Sequence, residues 1–158
     1  MNAPLDLEAR AHQDHHEALR LWLRLLTCTQ LIEKRIRSGL RAQFDTTLPR
    51  FDLMAQLERH PEGLKMKELS HRLMVTGGNV TGITDQLVQE GLVERLPVVD
   101  DRRAFRVRLT PVGRAAFAAM AQAHEAWIVQ AFAGLSSRDV QQLYLLLGKV
   151  KQFQLEGS

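Results

Sequence analysis

The chain has 158 residues, of which 45% are hydrophobic, 25% charged and 6% aromatic, with a formal charge of +3. This composition excludes wholesale disorder and fibrous repeats, and the length suits one compact domain with extensions. The longest uncharged stretches, residues 73–84 and 126–137, are too short to cross a bilayer, and the acidic start lacks the apolar core of a secretion signal. We therefore expect a cytoplasmic protein with no membrane segment.

The first predicted element is a long helix over residues 12–43, where apolar side chains recur at helical spacing. Trp22 and Ile32 widen its apolar face beyond one stripe, so we expect this helix to pack on two sides. A second helix is predicted to start at Pro49 and to end at the helix-breaking residues 60–63.

Two short helices follow, the first predicted over residues 64–74 and the second over residues 80–90. The turn between them, Thr76-Gly77-Gly78-Asn79, combines a chain break with residues that can cap exposed amides. Gly91 is expected to end the second of these helices. Two short helices joined by a glycine-containing turn are typical of a helix-turn-helix.

The apolar period then changes from that of a helix to that of a strand. Alternation over residues 93–96 and 105–109 predicts two short strands, with residues 97–103 as the loop of a hairpin. Thr110-Pro111 has the residue types that begin a helix, and a break at residues 134–137 precedes the last helix. A helix-turn-helix followed by a hairpin is a winged helix.

The predicted winged helix has two elements that suit duplex DNA. A helix fits the major groove, where it can read base edges, and a basic hairpin tip can reach the adjacent minor groove. From Arg102 to Arg114 the chain has five arginines and no acid. The polar or small residues of the second short helix are candidate DNA contacts: Asn79, Thr81, Gly82, Thr84 and Gln86. The alternative is that both elements are plain solvated surfaces.

Six short motifs stand in a fixed order along this part of the chain. They are Leu69 to Leu73, Asn79-Val80-Thr81, Leu87, Gly91-Leu92-Val93-Glu94-Arg95, Asp101-Arg102-Arg103 and Leu109-Thr110-Pro111-Val112-Gly113-Arg114. Each motif is weak alone, but the series at these spacings resembles the MarR-type (multiple antibiotic resistance regulator) transcription factors over about residues 49–118. The long flanking helices match that family in layout.

Together with this resemblance, the predicted elements imply a mainly α fold. It is a winged helix-turn-helix with long N- and C-terminal dimerisation helices and a two-stranded β wing. Residues 1–45 and 112–158 would form the dimerisation helices, and residues 46–111 the winged helix DNA-binding region. The implied partners are a second copy of the chain and double-stranded DNA with a pseudo-palindromic operator. Members of the family are typically repressors that a small ligand or an oxidant releases from DNA.

The resemblance also implies roles for residues in the hairpin. Asp101 matches the wing acid that braces an arginine two positions on, and Arg103 matches the arginine that enters the minor groove. Arg102 and Arg106 resemble phosphate contacts. Taken alone, Asp101 and Arg103 could equally form a surface ion pair that contributes little.

One position of the second short helix departs from the family pattern. Many relatives have a polar or basic reader where this chain has Gly82, whose small size permits close approach of the backbone to DNA. We therefore expect Thr81 and Thr84 to carry more of the base readout, while Asn79 or Gln86 can pair with adenine.

The first predicted helix has the features of an effector-binding wall. Its apolar side chains suit an aromatic or acyl ligand, and its arginines suit the phosphates of coenzyme A. The segment Leu21 to Leu40 resembles members of the family that sense aromatic-acid catabolites, including hydroxycinnamoyl-coenzyme A thioesters. The candidate residues for a small aromatic or aryl-coenzyme A effector are His15, Trp22, Leu26, Arg35, Arg37 and Arg41. The alternative is that these residues belong to the dimer core.

Other kinds of site have weaker support. The single cysteine, Cys28, excludes an internal disulfide; it could sense peroxide, but its leucine-rich neighbours favour a buried, inert thiol. His12, His15 and His16 could meet on one helix turn, yet no cysteine is near, so we predict no metal site and no cofactor. The chain also lacks a Walker phosphate loop, a His-Glu-x-x-His motif and a nucleophile elbow, so we expect no enzyme activity.

The sequence thus favours a homodimeric DNA-binding repressor that a small aromatic or acyl-coenzyme A ligand releases from its operator. Two alternatives stay open. The first is a non-specific architectural DNA-binding protein, which would not need the wide apolar face of the first helix. The second is a repressor that senses oxidants through Cys28.

Overall fold

The structure is a computed structural model that describes residues 17–73 and 79–158. Within those residues the chain forms six helices and three strands. In chain order they are α1 (Glu17–Phe44), α2 (Leu48–Glu58), β1 (Leu64–Lys65), α3 (Met66–Arg72), α4 (Val80–Gln89), β2 (Val93–Val98), β3 (Asp101–Leu109), α5 (Pro111–Ala131) and α6 (Ser137–Glu156). The predicted mainly α, winged helix-turn-helix fold is confirmed. None of the described helices has both the length and the apolar character of a membrane span.

The wing is the predicted hairpin of β2 and β3, and a third strand extends the sheet. The strand order is β1-β3-β2, with antiparallel pairing throughout and Leu64 opposite Val107. The prediction of helix from residue 64 is therefore wrong, because α3 begins at Met66; a strand of two residues is too short to show an apolar period. The hairpin turn is also tighter than predicted, since β2 reaches Val98 and β3 begins at Asp101.

The core of the winged helix is built around α2. Phe51, Leu53, Met54 and Leu57 of this helix are buried, and α2 packs against α1, α3, α4, α5 and β3. Burying each such side chain stabilises the fold by about 1.5–3 kcal/mol. The short α2 therefore fixes the other helices of the winged helix relative to the long helices α1 and α5.

The helix boundaries follow the predicted capping residues. Asn79 caps α4 by accepting the Gly82 backbone N–H at 3.0 Å, and Thr110 caps α5 by accepting that of Gly113 at 3.0 Å. Gly91 takes φ +74° just after the last turn of α4, a left-handed conformation that favours glycine. The other residues predicted for the turn before α4, residues 76–78, lie outside the described residues.

The C-terminal half of α1 is fixed on α5 by a close approach of the two helices. A Cβ on Gly39 would lie 2.5 Å from the Trp127 ring, and Phe44 packs edge-on to that ring with 6.5 Å between centroids. Ile36 and Leu40, in the same half of α1, are buried. The N-terminal half of α1 has no buried residue, so it extends beyond the core of the protomer.

α6 differs from the other described helices because none of its residues is buried. Its large apolar side chains are exposed by 38% at Leu143 and Leu147 and by as much as 79% at Tyr144. The N-terminal half of α1 adds Leu21 and Trp22, which are 57% and 56% exposed. A single protomer therefore leaves a large apolar surface on its two outermost helices.

Candidate nucleic-acid interface

α4 presents a polar face to solvent and packs its apolar face into the core. Leu87 is fully buried and Ile83 packs against the core, whereas Thr81 and Gln86 are exposed. Asn79, directly before the helix, is exposed as well. Hydroxyl and amide groups on an exposed helix can exchange hydrogen bonds with base edges in a major groove. All three predicted contacts are therefore accessible, with Thr81 and Gln86, five residues apart on α4, on different flanks of its exposed face.

Thr84 is the predicted DNA contact that the structure contradicts. Its side chain is completely buried, and its hydroxyl donates a hydrogen bond to the Val80 carbonyl oxygen at 2.7 Å. Thr84 lies three residues before Leu87 and therefore on the same, core-facing side of α4. Because a threonine hydroxyl can bond to the preceding turn of its own helix, its polar character did not require exposure.

Gly82 makes room for the cap of α4. The Asn79 Oδ1 accepts the Gly82 N–H, and a Cβ on Gly82 would lie 2.7 Å from the Asn79 Nδ2. The packing of the cap therefore gives this glycine a local role, besides the close approach to DNA that the sequence suggests. Since the Asn79 oxygen already accepts a bond from the helix, we expect Asn79 to reach DNA through its Nδ2 donors.

The charge of α4 is acidic, and arginines from neighbouring elements neutralise it. Its ten residues include Asp85 but no lysine or arginine, and Glu90 follows directly as the C-cap. Asp85 forms an ion pair with Arg95 of β2, and Glu90 forms one with Arg50 of α2. The Arg95 guanidinium carbon also lies 5.3 Å from the centroid of the Phe105 ring. Sequence reasoning missed both ion pairs, because their partners lie 10 and 40 residues apart.

The hairpin tip carries exposed arginines on a constrained backbone. The Asp101 Oδ1 accepts a hydrogen bond from the Arg103 backbone N–H at 2.9 Å. The predicted brace between these two residues therefore acts on the backbone amide rather than on the guanidinium. Arg102 and Arg103 are both exposed, near Val99, which is 99% exposed at the turn. A cationic tip of this kind is attracted to a narrow, strongly negative minor groove.

Arg106 lies deeper in the sheet than the arginines of the tip. It is half-buried, and its Nη1 donates to the Gly63 carbonyl oxygen at 3.3 Å. Gly63 is buried and takes φ +91° in the turn before β1. Arg106 thus holds this turn against β3, so a phosphate contact would have to use the remaining donors of its guanidinium.

The predicted effector residues are spread over a strip of α1, residues 22–41, but they neither share one face nor converge on one point. Arg35 lies on the opposite side of the helix from Trp22, Leu26 and Arg37, because successive residues are about 100° apart. The members of this strip that are exposed or half-buried are Trp22, Leu26, Arg35, Arg37 and Arg41. Because a helix rises about 1.5 Å per residue, Trp22 and Arg41 lie about 28 Å apart along the axis. His15, the sixth predicted effector residue, lies outside the described residues, as do His12 and His16.

Cys28 lies on the same helix and differs from its prediction. Its side chain is exposed, so the expected burial among leucines is wrong for a single protomer. The neighbouring Leu31 is itself 50% exposed, because this face of α1 has no cover from the described residues of the chain.

A charged junction lies where α1, α2 and α5 meet. Asp52 of α2 is half-buried, and burial raises the pKa of its carboxyl above the ordinary value. His124 of α5 and Arg37 of α1 oppose this rise in pKa, whereas Glu33 of α1 adds to it. The His124 ring also packs on the Phe51 ring, with 4.9 Å between centroids. Arg37 thus links the predicted effector strip electrostatically to α2.

The exposed face of α4 and the arginine-bearing wing define a winged helix DNA-binding protein. The model of the MarR family matches residues 46–105, from just before α2 into β3. A MarR family transcriptional regulator from Silicibacter pomeroyi has a similar crystal structure, with a TM-score of 0.74 and 30% identity, over 87% of this chain and 94% of that one. The chain therefore belongs to the MarR family and is a transcriptional regulator that binds DNA.

Two further relatives agree with this assignment. A mutant MarR from E. coli, solved in complex with operator DNA, is 27% identical with a TM-score of 0.71, over 87% of this chain and 99% of that one. The HTH-type transcriptional regulator PecS of Dickeya dadantii is 25% identical over 129 residues, which are 80% of this chain and 78% of PecS. The likeness to a structure with bound operator thus extends over most of the chain.

The raised pKa of Asp52 predicts a stability effect that depends on pH. Because the folded chain holds this proton more tightly than the unfolded chain does, stability is lost as the pH rises from the ordinary value of 3.8 through the raised one. Asp52→Asn removes that loss. Urea denaturation should therefore show that the stability of Asp52→Asn relative to wild type is greater at about pH 7 than at about pH 4.

Asp139→Asn provides a control of opposite sign. The backbone hydrogen bond from Ser136 lowers the pKa of the Asp139 carboxyl, so its stabilising contribution is present at neutral pH and is lost on acidification. Asp139→Asn should therefore be more destabilising, relative to wild type, at neutral pH than in acid. A pH dependence of the same sign in both variants would contradict the burial of the Asp52 carboxyl as the cause.

Proposed function

We propose that this chain is a homodimeric repressor, which holds two winged helices on the half-sites of a pseudo-palindromic operator and leaves DNA when a small aromatic or acyl-coenzyme A effector binds. The observation that carries this proposal is α6, a helix of twenty residues that buries none of them in one protomer. Residues 1–45 and 112–158 would supply the dimerisation helices, and residues 46–111 the winged helix.

A second copy of the chain is the partner that suits the apolar surface of α6. Val140, Leu143, Leu147 and Val150 recur at helical spacing and are exposed by 38–46%; we call them the α6 strip. A continuous exposed apolar strip of this length is typical of a protein–protein interface. A two-fold axis would pair the strip with itself and set two α4 helices about 34 Å apart, which is one turn of DNA.

The proposed dimer predicts a molecular mass in solution. Light scattering at micromolar concentration should give twice the protomer mass of 17.9 kDa. Leu147→Glu should weaken the dimer, because it places a charge in the α6 strip. Gln141→Glu adds the same charge on the far side of α6 and should leave the mass unchanged. A wild-type chain that stays monomeric would contradict the proposal.

Sequence-specific binding separates this proposal from the architectural alternative. Arg103→Ala should weaken binding to a selected operator duplex by about 1–3 kcal/mol per half-site and lower the salt dependence, because a minor-groove cation is lost. Thr81→Ala should change sequence preference more than salt dependence, because Thr81 would lie near base edges. Fluorescence anisotropy of labelled duplexes measures both quantities.

Arg138→Ala is the matched control, since it removes an exposed arginine from the first turn of α6. It should change neither affinity nor salt dependence. Unchanged operator affinity in Arg103→Ala would show that Asp101 and Arg103 are ordinary surface residues without a role in DNA binding. Equal affinity of the wild type for all duplexes would favour the architectural alternative.

The effector part of the proposal places a phenolic or aryl-acyl ligand between α1 and the winged helix. Trp22 and Leu26 would lie against its ring, and Arg37 and Arg41, on the same side of α1, would bind the phosphates of a coenzyme A thioester. The predicted contact from Arg35 does not fit this arrangement, since Arg35 lies on the opposite side of the helix. The exposed arginines of α1 and the distance of about 28 Å along the helix from Trp22 to Arg41 support a ligand longer than one aromatic ring. An anion bound by Arg37 would also change the charge balance at the junction with α2.

Calorimetric titration of phenolic acids and their coenzyme A thioesters, with and without operator DNA, tests the effector. Repression is lifted only by a ligand that prefers the DNA-free arrangement, so DNA should weaken ligand binding by the factor by which the ligand weakens DNA binding. The exposure of Cys28 supports the redox alternative. If no aromatic compound binds, while peroxide releases the wild type but not Cys28→Ser from DNA, the sensor is Cys28.

A further inference from the structure

Arg50, in the first turn of α2, bonds to two different parts of the chain at once. Its Nε donates to the Thr46 Oγ1 at 3.1 Å, and its Nη1 donates to the Gln86 Oε1 at 3.4 Å. Its Nη2 forms the ion pair with Glu90. Thr46 is buried in the corner between α1 and α2, whereas Gln86 and Glu90 lie at the C-terminal end of α4. One guanidinium thus connects the corner of α1 to the DNA-reading helix.

The surroundings of Arg50 differ from those of a residue that contacts phosphate. Its side chain is only 16% exposed, its charge is paired with Glu90, and each of its three nitrogens bonds to a side chain of the same protomer. The arginines of the wing tip, Arg102 and Arg103, are in contrast exposed. The Glu90 carboxylate is 47% exposed, so the pair holds α2 and α4 in one arrangement through the geometry of its bonds rather than through a large gain in stability.

Both ends of α4 are therefore fixed by polar contacts, but in different ways. The N-terminal end is closed locally by the Asn79 cap. The C-terminal end is tied across 40 residues of sequence to α2, the helix around which the core is built. A change in the tilt of α4 against α2 would have to break or stretch the bonds from Arg50 to Gln86 and Glu90. Because Arg50 also bonds to Thr46, a movement of the corner between α1 and α2 would change the position of Arg50 and hence its bonds to α4.

We propose that Arg50 is a positioning residue for DNA recognition, which sets the orientation of α4 through Glu90 and Gln86 without touching DNA. Gln86, a predicted base contact, then has its carbonyl oxygen held by Arg50 and presents its amide donors outward. The proposal rests on DNA binding by α4 and adds the element that holds this helix in its reading position.

The sign of the effect of Glu90→Gln distinguishes positioning from a direct phosphate contact. Removing a carboxylate near DNA strengthens binding on electrostatic grounds alone, because repulsion of the phosphates is reduced. If Glu90 instead anchors Arg50, the same substitution loosens α4 and weakens specific binding. The two roles of Arg50 therefore predict opposite changes in affinity for one neutralising substitution.

The experiment uses the full chain and a duplex recovered from a random-sequence library by the wild type. Arg50→Met and Glu90→Gln should each weaken binding to this duplex by about fivefold or more, while the salt dependence stays as in the wild type. The double variant should bind no worse than the weaker single variant, since both remove one interaction. The charge-exchanged variant, Arg50→Glu with Glu90→Arg, should regain part of the affinity.

Thermal melting of each variant, with Arg138→Ala as control, separates positioning from loss of fold. Glu90 is 47% exposed, so Glu90→Gln should keep the wild-type melting temperature. This variant therefore tests the proposal even if Arg50→Met does not fold. Tighter binding by Glu90→Gln, or a salt slope about one unit lower in Arg50→Met, would overturn the proposal in favour of a phosphate contact. Unchanged affinity of Glu90→Gln would overturn it in favour of a purely structural residue.

Discussion

α6 has no buried residue within one protomer, and the proposed assembly of the protein follows from this feature. Most helices in proteins are stabilised by packing an apolar face against other elements rather than by intrinsic helix propensity. In one protomer α6 buries no residue, and the outer half of α1 is similarly uncovered. The proposed homodimer resolves both features with one interface and, through its two-fold axis, gives the DNA-binding surface its spacing.

In the proposed complex with DNA, affinity and sequence reading fall to different elements of the winged helix. α4 has no cation among its ten residues. Its Asp85 is paired with Arg95, and Glu90, which directly follows the helix, is paired with Arg50. Its exposed face is therefore neutral and polar, which suits base readout rather than attraction to phosphate. Arg102 and Arg103 place positive charge at the exposed wing tip. The arginines of the winged helix thus fall into two groups: Arg50 and Arg95 are paired with acids at α4, whereas Arg102 and Arg103 are exposed at the wing tip, where the proposal places DNA.

The features that could be predicted from the sequence are those whose signals lie within a few residues of one another. The caps at Asn79 and Thr110 and the glycine after α4 all lie where their residue types indicate, because capping involves residues only three positions apart. β1 was missed because two residues show no period. Thr84 was misassigned because its hydroxyl is satisfied inside the helix, which composition does not reveal. The pair of Arg50 and Glu90 could not be predicted, since only the folded core brings these distant residues together.

The proposed dimer fixes the spacing of its two α4 helices on DNA, and this spacing can be measured. Gln89 is exposed at the end of α4, so Gln89→Cys in a Cys28→Ser background gives one spin-label site per protomer. Pulsed electron spin resonance on the protein bound to its selected duplex measures the distance between the two labels. For the proposed dimer, we expect a single distribution centred at roughly 34 Å, one turn of DNA. Absence of dipolar coupling, or a distribution far from that spacing, would contradict it.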